Sequence, residues 1–505
     1  MSTGASVNVP QEVETSEPSP AVPIHQQPGL RGRVLQNTAA NVAGRGLSIV
    51  FSAGAAVLLA RYLGAEKLGQ YGAIYAYLAL FGWLATFGFE PVLMREISRE
   101  RENASSLLHT AMVLSAFLSI GTVAAAVLVA PWAGYAGHLR ALLILAGLEY
   151  VLTPLRLPAV IFQVDMRQWY GATINVMRQG LWFGIIVLLW FLGAPLIYVV
   201  AGRVLAAAVE SWLMWSYSRR SLAQRGRFLL DRAGMIFSHS FPIAFTALLT
   251  MIYLRIDQVM LHKMVSDYVL GQYVAAVKVS ELFEMLPSAL MFAIAPILSV
   301  TVVDPQRFRS YTDRAYRYVI IVASALCVFI SVGARLIVHL LYGRQFEAAA
   351  PLLAVLIWSE IAIFFAAVLV NVLIVSNQQR WLPVPTLIGA AVNVGLNLVL
   401  IPRYAAAGAA WASLISYTLA WMATLLVFRE TRSVTWRGLR FALPIVAVAL
   451  IATESAGLVP EPPIEKLFVS FVVFSGGILA TKCLRVSDLH YVSVLVRESI
   501  GRVAS

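Results

Sequence analysis

The sequence predicts an all-α polytopic membrane protein of about fourteen transmembrane helices, arranged as two six-helix pseudo-symmetric lobes plus two C-terminal helices. Three observations support this fold class. Of the 505 residues, 59% are hydrophobic and only 13% are charged, against roughly a quarter charged in a typical soluble domain. Fourteen apolar runs are long enough to cross a bilayer. A short motif also recurs 202 residues further along the chain.

The chain begins with a polar tail over residues 1–30. The tail contains Glu12, Glu14 and Glu17, five prolines, and neither lysine nor arginine. This composition is typical of disorder and lacks the basic start and apolar run of a signal peptide. We expect a disordered cytoplasmic tail that ends just before the first apolar run.

The apolar runs follow one another with short connections. About 20 apolar residues span the ~30 Å hydrocarbon layer, and no connection exceeds about twenty residues, so we expect no soluble domain. The predicted segments 1 to 14 cover residues 37–60, 68–90, 106–130, 140–162, 171–192, 195–217, 236–256, 270–298, 315–340, 351–375, 382–401, 405–428, 441–459 and 465–484.

The distribution of lysine and arginine predicts the orientation. If the segments alternate across the membrane, and Arg140, Arg317, Lys466 and Lys482 at segment ends are counted with the adjoining connections, 24 basic residues fall on the side of the two termini and 7 on the other side. Cytoplasmic loops carry the excess of basic residues. We therefore expect both termini in the cytoplasm and the protein in the cell (inner) membrane.

The recurring motif indicates an internal duplication. Leu-Gly-Gln-Tyr occupies residues 68–71 and again 270–273, at the start of predicted segments 2 and 8. Six segments separate the two copies, so both have the same orientation, as in parallel repeats related by an axis along the membrane normal. Transporters with such repeats bind their substrate between the repeats and alternate access by rocking them.

These features predict the following division of the chain. The units are a tail (1–30), an N-terminal lobe (31–217), a cytoplasmic linker (218–235), a C-terminal lobe (236–428), two further helices (441–484) and a cytoplasmic tail (485–505).

Three stretches resemble a known family. They are NTAANVAGRGLSIVFSAGAAVLLARYLGAEKLGQYG (37–72), FGFEPVLMREIS (87–98) and YAAAGAAWASLISY (404–417). They resemble the polysaccharide transporters, which are O-antigen-type lipid-linked oligosaccharide flippases of the multidrug/oligosaccharidyl-lipid/polysaccharide exporter superfamily. The resemblance implies a multidrug and toxin extrusion-like fold. It also implies translocation of a polyprenyl-pyrophosphate-linked oligosaccharide to the outer leaflet, for O-antigen or exopolysaccharide synthesis.

Charges inside the predicted segments are the candidate functional residues. A cation at bilayer depth costs at least ~2.5–3.5 kcal/mol on insertion scales, so each requires a reason. Some have a neighbour on their own segment: Glu149 and Arg156 lie on one helical face, and Lys278 and Glu281 are three residues apart. The cations are Arg45, Arg156, Arg178, Arg203, Arg255, Lys278 and Arg335, and the acids are Glu149, Glu210, Asp257, Glu281, Glu284 and Glu360.

A bound anion would explain Arg45, Arg178 and Arg203, which have no acid within a turn of their own helix. Guanidinium groups suit a pyrophosphate or an acidic sugar. We predict substrate binding by Arg45, Arg178, Arg203, Arg255 and Lys278, with interhelix ion pairs as the alternative. Glu210, Asp257, Glu281 and Glu360 are predicted to bind an ion or to pair with these cations.

The sequence predicts a transporter rather than an enzyme. It contains no ATP-binding P-loop, zinc-protease or serine-hydrolase motif, and Cys327 and Cys483 suit neither a disulfide framework nor a zinc site. We expect no cofactor and no metal. Expected partners are the lipid-linked oligosaccharide, membrane lipids, a polysaccharide polymerase and glycosyltransferases, but no nucleic acid. The alternatives are a peptidoglycan-precursor flippase, a multidrug or cation antiporter and, less well supported, a glycan polymerase or ligase.

Overall fold

The computed structural model describes residues 30–220, 226–427, 429–460, 462–481 and 483. The predictions for the polar N-terminal tail and for residues 485–505 concern residues outside this part. The described residues form sixteen α-helices and no strand. The helices are α1 (Leu30–Thr86), α2 (Phe89–Arg99), α3 (Ala104–Val129), α4 (His138–Val151), α5 (Val160–Val164), α6 (Gln168–Leu192), α7 (Leu196–Arg220), α8 (Leu230–Met264), α9 (Asp267–Glu281), α10 (Met285–Thr301), α11 (Pro305–Tyr342), α12 (Ala349–Leu356), α13 (Ser359–Val375), α14 (Pro383–Val427), α15 (Arg429–Gly457) and α16 (Pro463–Ala480).

Two of these helices are each long enough for two membrane passages. Helix α1 has 57 residues and α14 has 45, whereas one passage needs about 20. Each contains a backbone break, at Gly64 (φ 71°, ψ 175°) in α1 and at Ala405 (φ 47°, ψ −128°) in α14. Twelve helical stretches of the described chain are apolar and long enough to cross a membrane. With the two broken helices counted as pairs, the prediction of about fourteen passages is confirmed.

Three predicted segments are subdivided instead. Segment 4 becomes α4, two 3-10 turns over Thr153–Leu155 and Leu157–Ala159, and α5. Pro154 and Pro158 lie in those turns, where their rings and missing N–H groups interrupt the helical hydrogen bonds. Segment 8 is divided into α9 and α10, and segment 10 into α12 and α13. The breaks turn neighbouring side chains in new directions, which matters for the site.

The two copies of the repeat pack against each other. A Cβ atom on Gly69 of α1 would lie 1.8 Å from the carbonyl oxygen of Asp267 at the start of α9. A Cβ atom on Gly271 of α9 would lie 1.7 Å from the carbonyl oxygen of Ala65. Both pairs are related by the same shift of 202 residues, so the contact is reciprocal. We call this contact the glycine crossing.

Two apolar cores hold the helices together. The larger core joins both lobes around the glycine crossing and includes Ile74 and Tyr273. The second core joins α11 and α13 to the last two helices, through residues such as Tyr316, Phe364 and Ile445. Helices α15 and α16 therefore pack against the C-terminal lobe.

Candidate functional site

A cavity of about 1190 Å³ lies between the two lobes. It is larger than the roughly 300–1,000 Å³ of small-molecule sites. Helices α1, α2 and α4 to α7 line it from the N-terminal lobe, and α8 to α11 from the C-terminal lobe. Among the described side chains, four cationic ones line it: Arg156, Arg203, Arg255 and Lys278.

Arg203 on α7 is held by groups from two other helices. Its Nε lies 3.4 Å from Oε1 of Glu149 on α4, and its Nη1 donates to the Tyr71 hydroxyl at 2.7 Å. The guanidinium carbon also lies 3.8 Å from the centre of the Tyr75 ring, a distance suited to a cation–π contact. These contacts orient the guanidinium at the cavity wall.

Arg255 and Lys278 share one carboxylate. Arg255 Nη1 and Lys278 Nζ each lie 2.6 Å from a different oxygen of Glu281. The local Lys278–Glu281 pair that the sequence suggested is therefore present, with a second cation from α8 added. Two positive charges facing one negative charge leave the group with a net positive charge at the cavity wall.

Arg156 and Arg178 share Glu210 in the same way. The distances to Glu210 Oε2 are 3.5 Å from Arg156 Nη1 and 3.4 Å from Arg178 Nε. Glu210 is 7% exposed. Arg178 lies behind the cavity wall, because it is not among the residues that line the cavity. Its contact is the interhelix ion pair that the sequence left as the alternative.

The sequence suggested an internal or an interhelix pair for Glu149 and Arg156, and in the structure each forms an ion pair with a residue of α7. Arg156 Nη2 donates to the backbone oxygen of Glu149 at 3.3 Å, while the Glu149 side chain pairs with Arg203. The two side chains do not pair with each other because the 3-10 turns that contain Pro154 and Pro158 replace the expected helix. Sequence reasoning thus missed a cavity-lining cation, although the two prolines beside it were a visible signal.

The predicted role of Arg45 concerns a side chain outside the described residues. Of the other predicted binding residues, Arg203, Arg255 and Lys278 meet at the cavity. Their binding of substrate stays a prediction.

The remaining carboxylates lie in the C-terminal lobe. Asp257 is buried and accepts hydrogen bonds from the Tyr273 hydroxyl and from the Gln258 N–H at 2.7 Å. Glu360 is also buried: its Oε1 accepts from Ser280 Oγ at 3.1 Å, and its Oε2 has no hydrogen bond within the described chain. Both line a small second cavity of about 50 Å³. Across the described residues, no group of three or more acidic, histidine or cysteine side chains could hold a metal ion.

The lobes also touch at the end of the large cavity opposite the glycine crossing. The rings of Phe87 and Phe237 are stacked with centroids 4.4 Å apart. Arg232 on α8 lies 2.9 Å from Glu100, which follows α2. The hydrogen bond from the Asn103 amide lowers the pKa of Glu100 below its ordinary value. The charge and hydrogen bond of Arg232 lower it further. Contacts between the lobes therefore exist at both ends of the cavity.

Comparisons with known proteins agree with this architecture. A family profile described as "Polysaccharide biosynthesis protein" matches residues 58–351. The uncharacterized membrane protein MJ1068 of Methanocaldococcus jannaschii is 22% identical over 193 residues, which are 38% of this chain. The alignment also spans only 38% of that relative's length.

Solved structures show the same fold. An inward closed conformation of the lipid II flippase MurJ is similar with a TM-score of 0.68 at 15% identity, over 89% of this chain and 100% of that chain. An inward-facing multidrug resistance MATE transporter of the MOP superfamily is similar with a TM-score of 0.62 at 14% identity, over 78% of this chain and 95% of that chain. The multidrug and toxin extrusion-like fold predicted from the sequence is confirmed.

Proposed function

The chain belongs to the polysaccharide biosynthesis protein family, and from this premise we propose that it is a flippase for a polyprenyl-pyrophosphate-linked oligosaccharide. It moves the headgroup from the cytoplasmic to the outer leaflet of the cell (inner) membrane, for surface polysaccharide synthesis. The two lobes rock about the central cavity, which gives each side access in turn.

The observation that carries this proposal is the charge of the large cavity. Four cations line it, while Glu90 and Glu149 are the acids that line it within the described chain. Cations in a desolvated cavity attract phosphate oxygens strongly, and guanidinium groups bind them in a bidentate manner. An anionic pyrophosphate fits this lining.

Each predicted site residue has a role in this proposal. Arg203, Arg255 and Lys278 bind the pyrophosphate, and Arg45 is a further candidate on α1. Arg178 acts indirectly, because its contact with Glu210 fixes Arg156 as well. Glu210 and Glu281 are the pairing carboxylates.

The other two carboxylates suit a different role. Asp257 and Glu360 are buried and have no ion pair within the described residues. They are the groups available to a cation that couples to transport.

Flipping the headgroup through hydrocarbon would strip water from every hydroxyl and from the phosphates. An unpaired polar group costs several kcal/mol in an apolar medium, and an ion costs far more. The cavity replaces that water with protein groups, while the lipid tail stays in the bilayer. The barrier falls because the headgroup never enters the lipid.

Two alternatives differ in the charge or identity of the substrate. A cation antiporter needs a cavity in which acids outnumber bases, which is the reverse of this lining. A peptidoglycan-precursor flippase moves the same pyrophosphate with another headgroup.

A glycan polymerase or ligase is a further alternative. The short connections between helices leave little room for the large outer loop that glycan polymerases and ligases tend to have.

The test is deletion of the gene in its host, followed by isolation of lipid-linked intermediates. We expect repeat units to accumulate on the inner leaflet and surface polysaccharide to disappear, with restoration by the intact gene. Normal surface polysaccharide in the deletion strain would contradict the proposal. Accumulation of peptidoglycan precursor instead would favour the second alternative.

A further inference from the structure

The end of the large cavity nearest α2 differs in chemistry from the cationic part. Its lining includes Thr86 at the end of α1, Glu90 in the first turn of α2, Gln163 on α5, and Gln168 and Asn175 on α6. We call these five residues the amide pocket. Three carry a side-chain amide and one carries a hydroxyl, each able both to donate and to accept hydrogen bonds, and the fifth carries a carboxylate.

Helix α6 supplies the wall of this pocket through one face. Gln168, Gly171, Ala172 and Asn175 all line the cavity, and the spacing of three, four and seven residues places them on the same side of a helix. A Cβ atom on Gly171 would meet nothing within 4 Å. The face therefore has polar side chains at its two ends and a flat stretch between them.

One contact fixes the polar groups of the pocket. Gln163 Nε2 donates a hydrogen bond to Glu90 Oε1. The bond joins α5 to α2 and orients an amide and a carboxylate side by side. Such pre-organised groups lose less conformational freedom on binding than free side chains would.

The Thr86 end of the amide pocket is well separated from the Arg203 cluster. Tyr71 accepts the hydrogen bond from Arg203. Thr86 lies fifteen residues further along α1, and both residues follow the break at Gly64. At a rise of 1.5 Å per residue, this separation is about 22 Å along the helix. A ligand that reaches both zones must be extended and must carry an anionic part and a hydroxyl-rich part.

We propose that the amide pocket binds sugar rings of the oligosaccharide that lie several units away from the pyrophosphate, and that it selects uncharged sugars there; this inference rests on the proposed function. Amides and a carboxylate together donate to and accept from neighbouring hydroxyls of a sugar ring. The Glu90 carboxylate repels a sugar acid, because like charges repel each other. The cationic residues bind the phosphates, and the amide pocket binds and selects the glycan.

Binding of three soluble probes to the full chain in lipid nanodiscs tests this inference. The probes are farnesyl pyrophosphate, the same lipid pyrophosphate joined to a linear N-acetylglucosamine oligosaccharide long enough to span the about 22 Å between the two zones, and the same oligosaccharide probe ending in glucuronic acid. We expect the N-acetylglucosamine probe to bind about tenfold more tightly than the bare pyrophosphate, the gain expected from a few net hydrogen bonds. The glucuronic acid probe should gain little or nothing.

Variants of the amide pocket should change sugar recognition alone. In the double variant Gln163→Ala with Gln168→Ala, the N-acetylglucosamine probe should fall to within about twofold of farnesyl pyrophosphate, whose own affinity stays unchanged. Glu90→Gln should improve binding of the glucuronic acid probe. Gln306→Ala is the matched control, since Gln306 is exposed at the start of α11 and does not line the cavity.

The outcomes separate this inference from the proposed function. Equal binding of all three probes, or pocket variants that bind them as the wild type does, would overturn the sugar-binding role and leave the flippase proposal standing. Failure of every probe, farnesyl pyrophosphate included, would overturn the proposed headgroup binding and this inference with it.

Discussion

Arg203 has a protein counter-charge, and this affects how its removal must be read. Its partner Glu149 has a side chain that is 16% exposed. Removing the arginine alone leaves a largely buried carboxylate without its ion pair, and breaking a buried pair in this way typically costs ~3–5 kcal/mol. A single substitution therefore mixes loss of substrate binding with loss of stability.

A double substitution separates the two effects. In Arg203→Gln with Glu149→Gln, no buried charge remains unpaired, so membrane abundance should be near that of the wild type. Transport should still be lost if the guanidinium binds the pyrophosphate, and Arg203→Lys should keep part of it, because the charge stays while the bidentate geometry goes. Transport assayed beside membrane abundance checks this.

The control is the matched double substitution Arg335→Gln with Glu347→Gln. This pair lies at 2.7 Å, but its side chains are 73% and 61% exposed, and exposed pairs contribute ~0–1 kcal/mol. It should change neither readout. Full transport in the Arg203 and Glu149 double variant would show that the arginine only balances the glutamate.

At the scale of elements, the sequence predicted helices better than contacts between them. Apolar length is imposed by the bilayer, so the runs over 106–130 and 171–192 match α3 and α6 closely. The pair of Arg178 with Glu210 could not be predicted, because spacing within one sequence segment says nothing about the rotation of α6 against α7. Likewise, Gly64 and Ala405 break continuous helices where the sequence suggested separate connections.

The glycine crossing gives the element-scale prediction. Gly69→Val and Gly271→Val would each place side-chain atoms where a backbone carbonyl lies. Because backbone cannot yield as a flexible side chain can, each change should cost at least the ~1–3 kcal/mol typical of overpacking. We expect both variants to have a lower melting temperature and to lose most transport.

Gly121→Val on α3 is the control, since a Cβ atom there would meet nothing within 4 Å. It should melt and transport as the wild type does. If Gly69→Val behaved like this control, neither stability nor transport would depend on the close approach of α1 and α9.

For the whole molecule, the direction of transport depends on the orientation predicted from the basic residues. Residues 218–228 should face the cytoplasm and residues 343–351 the outside. A single-cysteine scan in a background with Cys327 and Cys483 replaced tests this with an impermeant reagent on intact cells. Labelling should occur within 343–351 and not within 218–228; the reverse pattern would invert the orientation and the transport direction.

The glycine crossing also has the form of an isologous dimer interface enclosed in one chain. In a two-fold dimer, each contact occurs twice. If residue i of the first subunit contacts residue j of the second, then residue j of the first subunit contacts residue i of the second. Gly69 with Asp267 and Gly271 with Ala65 satisfy this rule. A single ancestral glycine facing its own copy would produce both contacts after duplication and fusion. On this interpretation, each half of the chain could then change its cavity wall, while the surface on which it meets the other half kept the geometry of two identical subunits.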